Sequence, residues 1–144
     1  MTNYDPNICK ILKEYILSGN FTKAKKITKS LETDDLEGYL LQIAFDKYNI
    51  MVYVFLCDIL NEKESADIHY LASLILIGPF SHLEGAYAGG YYHAKKAIKL
   101  DPDNIGFKEY ILFFYSVPEQ LLPRNEAISI AKEVLKKILI IQQL

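Results

Sequence analysis

The spacing of apolar residues along the chain predicts helices almost from end to end. In the segment 7–17 the apolar side chains recur three or four residues apart, so they share one face of a helix. The segment 21–31 repeats this pattern and places its lysines on the opposite face. By the same criterion we predict six further helices, in chain order at 36–47, 50–61, 66–77, 83–100, 105–115 and 125–144.

The segment 50–61 has a second interpretation. It is rich in β-branched and aromatic residues, and such residues favour β-strands. Because no partner strand is evident elsewhere in the chain, we predict a buried helix here. The chain is then all-α, with about eight helices.

Short links between the predicted helices favour antiparallel neighbours, which pair as four hairpins. The hairpins cover approximately 5–33, 35–62, 66–100 and 104–144, within a single helical-repeat domain spanning 1–144. Small residues near the start of each second helix are separated by 33, 33 and 37 positions. These residues are Ala24, Cys57, Gly90 and Ala127. Regular small residues allow paired helices to approach closely, so we predict stacked hairpins in a short α-solenoid.

Two stretches of the chain resemble the tetratricopeptide repeat, whose units are about 34 residues long. The residues from Ala97 to Asn104, AIKLDPDN, resemble the A-[LI]-x-L-x-P-x-N end of a unit. Gly19 to Ala24, GNFTKA, resembles the G-[DN]-[YF]-x-x-A turn between its two helices. The second hairpin matches only in its spacing, and extra turn residues at 78–90 also resemble the related Sel1-like repeats.

The resemblance implies a right-handed superhelix with a concave groove lined by the first helix of each hairpin. Members of the family bind peptides or whole proteins there, and some co-chaperones hold a C-terminal carboxylate with Lys, Asn and Arg. The corresponding positions here include only one suitable residue, Lys13, so we do not expect a carboxylate clamp. The side chains expected in the groove are those of Lys13, Tyr39, Gln42, Asp46, Asn49, Ile75 and Glu109.

Composition narrows the classes of partner. The net charge is −2, from 16 basic and 18 acidic residues, so no general positive field is available for nucleic acid. The longest apolar run, 50–60, is too short to cross a membrane, and the N-terminus lacks a secretion signal. Cys9 and Cys57 lie in apolar patterns and are predicted to be buried thiols. We therefore predict a cytoplasmic protein that binds neither nucleic acid nor membrane.

No residue pattern predicts catalysis, a metal site or a cofactor. Asp101 and Asp103 begin like a calcium loop, but Leu112 stands where such a loop needs a glutamate, so these residues are predicted to end a helix. The glycine-rich segment 85–90 lacks the nucleotide-binding spacings. The histidines form no known metal motif and are predicted to be hydrogen-bonded in the core or to face solvent. They are His69, His82 and His93.

Acidic residues are concentrated in the links that lead from one predicted hairpin to the next. Three links, at 32–37, 61–67 and 101–104, hold nine of the 18 acidic residues. We call these nine residues the acidic edge: Glu32, Asp34, Asp35, Glu37, Glu62, Glu64, Asp67, Asp101 and Asp103. They either stabilise the starts of the following helices or attract a basic partner.

Three functions remain open from the sequence. The first is an immunity protein that neutralises a basic bacterial toxin, such as a nuclease of a contact-dependent or polymorphic toxin system. The second is an adaptor that holds a peptide segment in the groove. The third is an enzyme or ligand carrier with a pocket near Tyr87, Tyr91, Tyr92 and His93. The apolar end, 138–144, either caps the array or pairs with another copy.

Overall fold

A computed structural model describes residues 4–144, and this part of the chain is helical without any β-strand. The first five helices are α1 (Pro6–Leu17), α2 (Phe21–Thr28), α3 (Thr33–Lys47), α4 (Met51–Glu62) and α5 (Ala66–Ile77). The remaining four are α6 (Ala86–Leu100), α7 (Ile105–Ile111), α8 (Phe113–Ser116) and α9 (Arg124–Gln142). The predicted all-α class is confirmed, and the ambiguous segment 50–61 is a helix.

Several helix ends differ from the prediction by a few residues, and the differences have local causes. Helix α6 begins at Ala86 instead of residue 83, because Gly85 adopts a left-handed conformation with φ of 84° that a helix cannot continue. The predicted helix 105–115 is divided at Leu112, whose amide bonds to the carbonyl of Glu109 in a tighter turn. This division allows Phe114 to be fully buried.

At four helix starts, the side chain of the N-cap residue itself accepts a hydrogen bond from a free backbone amide. Asp5 caps α1, Asn20 caps α2, Ser65 caps α5 and Asn104 caps α7. The last of these lies in the DPDN stretch that the sequence predicts as a helix end, so one short segment both ends α6 and starts α7.

The helices enclose two hydrophobic clusters. The first is formed by α1 to α5 and contains the buried side chains of Leu12, Ile43 and Phe55. The second is formed by α6 to α9 around Phe114 and Leu122. The most extensive contact between two helices is that of α5 with α6, which brings the two clusters together.

Gly90 permits this close contact of α5 and α6. A Cβ atom at Gly90 would lie 2.6 Å from Cγ2 of Ile77, so no larger residue fits without movement. Gly90 belongs to the set of small residues that the sequence predicts at helix contacts. Of the same set, Ala24 and Ala127 are buried as well, whereas Cys57 is half-buried instead of fully buried as predicted.

Other contacts define the order of the helices. Helix α1 packs against α2, α3 and α4, and α5 packs against α3 and α4. Helix α7 packs against α6 and α9. Helix α4 makes more contact with α5 than with α3, its predicted partner in the second hairpin. Within residues 4–144, no helix is both long and apolar enough to cross a bilayer.

Candidate functional site

The links that carry the acidic edge precede helix starts that neighbour one another. A groove of about 180 Å³ is lined together by the end of α2, the start of α3, the end of α4 and the start of α5. The ring of Tyr70, near the start of α5, lies 5.3 Å from the ring of Phe107, near the start of α7. The start of α3 therefore lies beside the start of α5, and the start of α5 lies beside that of α7. The acidic links that lead into these helices are neighbours in the same order.

Some members of the acidic edge already have partners within the chain. Glu62 forms an ion pair of 2.5 Å with Lys25, which also pairs with Asp58. These two carboxylates raise the pKa of the Lys25 ammonium group. Glu64 lies 3.3 Å from Nε2 of His69, and Asp101 accepts a hydrogen bond of 3.2 Å from the Asn104 side chain.

Four other members remain exposed. They are Glu32, Asp34, Asp67 and Asp103. Within residues 4–144, no basic side chain lies within ion-pair distance of these four carboxylates. The pKa of neighbouring Glu37 is raised by burial and by the charge of Asp34, so negative charge here is not fully compensated. A partner can therefore find carboxylates without an ion pair at all three links. At the third link, the Lys137 ammonium group donates a hydrogen bond of 2.5 Å to the backbone carbonyl of Asp103.

Stabilisation of helix starts explains only part of the acidic edge. The side chains that cap helices are Asp5, Asn20, Ser65 and Asn104, none of which belongs to it. Three of its nine members, Asp34, Asp35 and Asp67, lie in the first turn of a helix, where their charge favours the helix dipole. Glu32 lies at the N-cap position of α3, although its side chain makes no capping hydrogen bond there. The other five members lie outside the first turn and the N-cap position of a helix.

The residues predicted for the concave groove are separated by the structure into exposed and buried ones. Lys13 and Asp46 form an ion pair of 2.6 Å between α1 and α3, and this pairing lowers the pKa of the Asp46 carboxyl group. Gln42 and Glu109 are exposed. Asn49 is half-buried, and its side chain accepts a hydrogen bond of 2.9 Å from the amide of Met51.

Two of the predicted groove residues are core residues instead. The Tyr39 side chain is 1% exposed, and its hydroxyl accepts a hydrogen bond of 2.8 Å from the amide of Asp5. Ile75 is fully buried in the first hydrophobic cluster. Their predicted orientation toward the groove is therefore wrong, because the register borrowed from the repeat family places these helix faces outward when they pack inward.

A chain of hydrogen bonds that the sequence does not predict crosses α4, α5 and α6. The Tyr53 hydroxyl lies 2.7 Å from Nε2 of His93, and Nδ1 of His93 lies 2.9 Å from Nδ1 of His69. Nε2 of His69 then reaches Glu64. We call these four residues the histidine chain. One Nδ1 must accept the proton that the other donates, so at least one of the two rings, the accepting one, is neutral when the link is formed.

Burial determines the charge state of the histidine chain. His93 is 4% exposed, and burial together with the neighbouring His69 lowers its pKa to about 4. Burial also lowers the pKa of His69, although the Glu64 carboxylate acts in the opposite direction. The helical periodicity of the sequence could have indicated that His93 is buried. His93 shares a helix face with Gly90, Ala94 and Ala97, all of which are buried.

The aromatic residues proposed to surround a ligand pocket are dispersed. Tyr87 packs against Phe113 with ring centroids 6.2 Å apart, and Tyr91 packs against Phe114 at 5.5 Å. Tyr92 is exposed and lines a shallow groove of about 230 Å³ together with Lys95, Lys96 and Lys99. Within residues 4–144, no three His, Cys, Asp or Glu side chains are grouped closely enough to hold a metal ion.

Comparison with protein-family models, with curated proteins and with solved structures gave no match for this chain. The resemblance to tetratricopeptide repeats therefore stays a prediction from the sequence motifs.

Proposed function

We propose that this chain is a protein-binding protein whose acidic edge docks onto a basic partner. The observation that carries the proposal is the set of exposed carboxylates without an ion-pair partner in residues 4–144: Glu32, Asp34, Asp67 and Asp103. Free carboxylates on one side of a molecule accelerate the approach of a positively charged protein and help to orient it.

The proposed scaffold is a short right-handed α-solenoid of stacked hairpins. Contacts between the links within hairpins support it. The ring of Tyr48, which follows α3, lies 6.0 Å from the ring of His82, which follows α5. A Cβ atom at Gly19, after α1, would lie 3.8 Å from the Met51 side chain at the start of α4. Both contacts join neighbouring hairpins at links of this kind, as expected for stacked hairpins.

The partner that we favour is a bacterial toxin domain with a basic active cleft, such as a nuclease. In this proposal the chain is an immunity protein that acts in the cytoplasm and is not itself an enzyme. It would block the cleft by covering it, since a surface that binds phosphate groups is basic and complements free carboxylates. The choice of a toxin over other basic proteins rests on analogy of architecture.

The test has two stages. The first is purification of the tagged chain from its native host with whatever it binds. We expect a basic toxin domain encoded beside it, and co-expression should restore the growth of cells that produce this toxin. Recovery of a regulator or chaperone in place of a toxin would contradict the immunity function.

The second stage measures association rates with the purified partner by stopped flow. Replacement of Glu32, Asp67 and Asp103 by lysine should slow association about tenfold at low salt, with little difference at high salt. The matched control replaces Glu14, Glu84 and Glu119, which are exposed acids outside the acidic edge. Equal rates for the two variants would reject docking at the acidic edge. Loss of binding only on replacement of Lys13 and Asp46 would instead favour the peptide-binding adaptor.

A further inference from the structure

Helix α9 has more apolar surface than its neighbours cover. One side of it packs against α7, with Ala127 and Val134 buried and Glu133 paired with Lys108 at 2.8 Å. A second apolar line, which we call the α9 stripe, faces outward. It consists of Ile128, Leu135 and Leu139, whose side chains are 45%, 59% and 58% exposed. Separations of seven and four residues place them on one face of the helix.

A groove lies beside the first half of the α9 stripe. It encloses about 350 Å³ between α9 and the end of the α7–α8 segment. Its lining residues are Leu112, Tyr115, Arg124, Ala127, Ile128 and Ala131. Since Ala127 and Ala131 are one helical turn apart and small, the groove has room for a large apolar side chain from another molecule.

The charges around the α9 stripe are all positive. Arg124 lies in line with the stripe, and Lys132 and Lys136 run along one flank, as follows from about 3.6 residues per turn. Within residues 4–144, no carboxylate lies within ion-pair distance of these three side chains. The acids of α9, Glu126 and Glu133, lie on the other side of the helix. The stripe is therefore an apolar surface with an uncompensated basic border.

We propose that the α9 stripe and its groove bind an amphipathic helix of a partner protein whose apolar face is bordered by Asp and Glu. An apolar line with a pocket at one end matches the way in which helices dock into grooves. The positive border selects acidic residues on the incoming helix. This partner has the opposite charge to the one proposed for the acidic edge, so the two surfaces serve different molecules or different parts of one molecule.

A second copy of this chain is a less suitable occupant. If two α9 stripes paired antiparallel, Lys132 and Lys136 of one copy would approach the same lysines of the other, and like charges at such positions oppose pairing. In a parallel pair these lysines would face the opposite flank of the stripe, which carries no acid. An acidic helix removes this repulsion and adds ion pairs.

The test uses two synthetic helical peptides of about 20 residues, a length at which an amphipathic sequence forms a stable enough helix. Both peptides carry the same leucine stripe, which is bordered by Glu in one and by Lys in the other. Fluorescence anisotropy with the full chain should show binding of the Glu peptide at least about tenfold tighter than that of the Lys peptide. Added salt should reduce the difference.

Variants of the chain locate the binding site. Leu135→Glu should weaken binding of the Glu peptide about tenfold, whereas Leu83→Glu, a change at an exposed leucine elsewhere, should not. Replacement of Arg124, Lys132 and Lys136 by Glu should reverse the preference between the peptides. The control with the same change in net charge replaces Lys10, Lys26 and Lys29. Circular dichroism confirms folding in each case.

Four results would overturn the proposal. The first two are failure of the Glu peptide to bind and equal binding of both peptides. The third is an equal loss of Glu-peptide binding on Leu135→Glu and on Leu83→Glu. The fourth is a reversed preference between the peptides in the variant with Lys10, Lys26 and Lys29 replaced. Two others would assign the surface to a different occupant. Dimerisation in sedimentation that Leu135→Glu abolishes would identify a second copy. Binding to phosphatidylserine vesicles without binding to the Glu peptide would identify a lipid surface. The acidic-edge experiment is unaffected by any of these results.

Discussion

At the scale of single residues, the histidine chain is the most constrained polar feature of the protein. The two rings meet through Nδ1 atoms 2.9 Å apart, so a second proton on the accepting ring would set two N–H groups against each other. The titratable groups around His93 are Tyr53 of α4, His69 of α5 and Tyr92 of α6, and Glu64 and Lys96 lie beside His69. The link therefore requires a neutral accepting ring, and burial favours His93 as the neutral one by lowering its pKa to about 4.

This requirement predicts sensitivity to acid. The pKa of His93 is about 4 in the folded protein and about 6.5 in an unfolded chain, so the unfolded state binds more protons between these values. The resulting stabilisation is present above about pH 6.5 and is lost progressively as the pH falls toward 4. We expect a loss of up to about 3 kcal/mol in the free energy of unfolding from this residue.

Urea unfolding at a series of pH values measures this loss. The His93→Gln variant should be less stable at neutral pH but should lose less stability on acidification, because it has no proton to take up. His82→Gln, at an exposed histidine, should follow the wild-type curve. Parallel curves for the wild type and His93→Gln would show that His93 does not titrate in this way.

At the scale of helices, we expect the substitution of glycine by alanine to have opposite effects on stability at two glycines, both of which lie inside a helix. A Cβ atom at Gly90 of α6 would meet Ile77 at 2.6 Å, and Phe114 and Ser73 at 3.4 Å. A Cβ atom at Gly38 of α3 would meet nothing within 4 Å. Overpacking in the core costs about 1–3 kcal/mol, while Gly to Ala in an open helix position stabilises by roughly 0.5–1 kcal/mol.

Urea denaturation of Gly90→Ala and Gly38→Ala checks this prediction directly. We expect Gly90→Ala to unfold at a lower urea concentration than the wild type and Gly38→Ala at a higher one. The dependence of the free energy of unfolding on urea concentration should be similar for all three proteins. Stabilisation by both substitutions would mean that α5 and α6 can separate without cost, and this result would contradict the close contact at Gly90.

The helices could be predicted from sequence because each is encoded by its own pattern. The segment 50–61 was predicted as a helix in spite of its strand-favouring residues, since the absence of a partner strand outweighed local propensity. The faces of the helices were less predictable. Tyr39 was assigned outward by a borrowed register, although its ring packs against Tyr4 and its hydroxyl binds the amide of Asp5. The histidine chain joins residues up to 40 positions apart, and no local pattern encodes such a meeting.

At the scale of the whole molecule, the two hydrophobic clusters raise the question of whether the chain unfolds in one step. Arrays of repeats are stabilised by contacts between neighbours, and a weak contact allows the two sides to unfold separately. Here the boundary between the clusters is the α5–α6 contact, the most extensive in the molecule. Helix α5 also contributes to both clusters, with Ile75 in the first and Ile77 packed against the second. The boundary is therefore the most extensive contact between two helices and not a sparse one.

We accordingly predict a single cooperative transition. Phe114→Ala in the second cluster should cost about 3–5 kcal/mol, and Leu12→Ala in the first about 2–5 kcal/mol. Hydrogen exchange monitored by NMR separates the alternatives, because the slowest amides report on global unfolding. In a cooperative molecule Phe114→Ala accelerates exchange of the slowest amides of α1 and α4 as much as those of α6 and α9. If only α6 to α9 exchanged faster, the clusters would be independent units. The acidic edge spans links on both sides of the boundary, so cooperative folding would keep all three links in one fixed arrangement before a partner arrives.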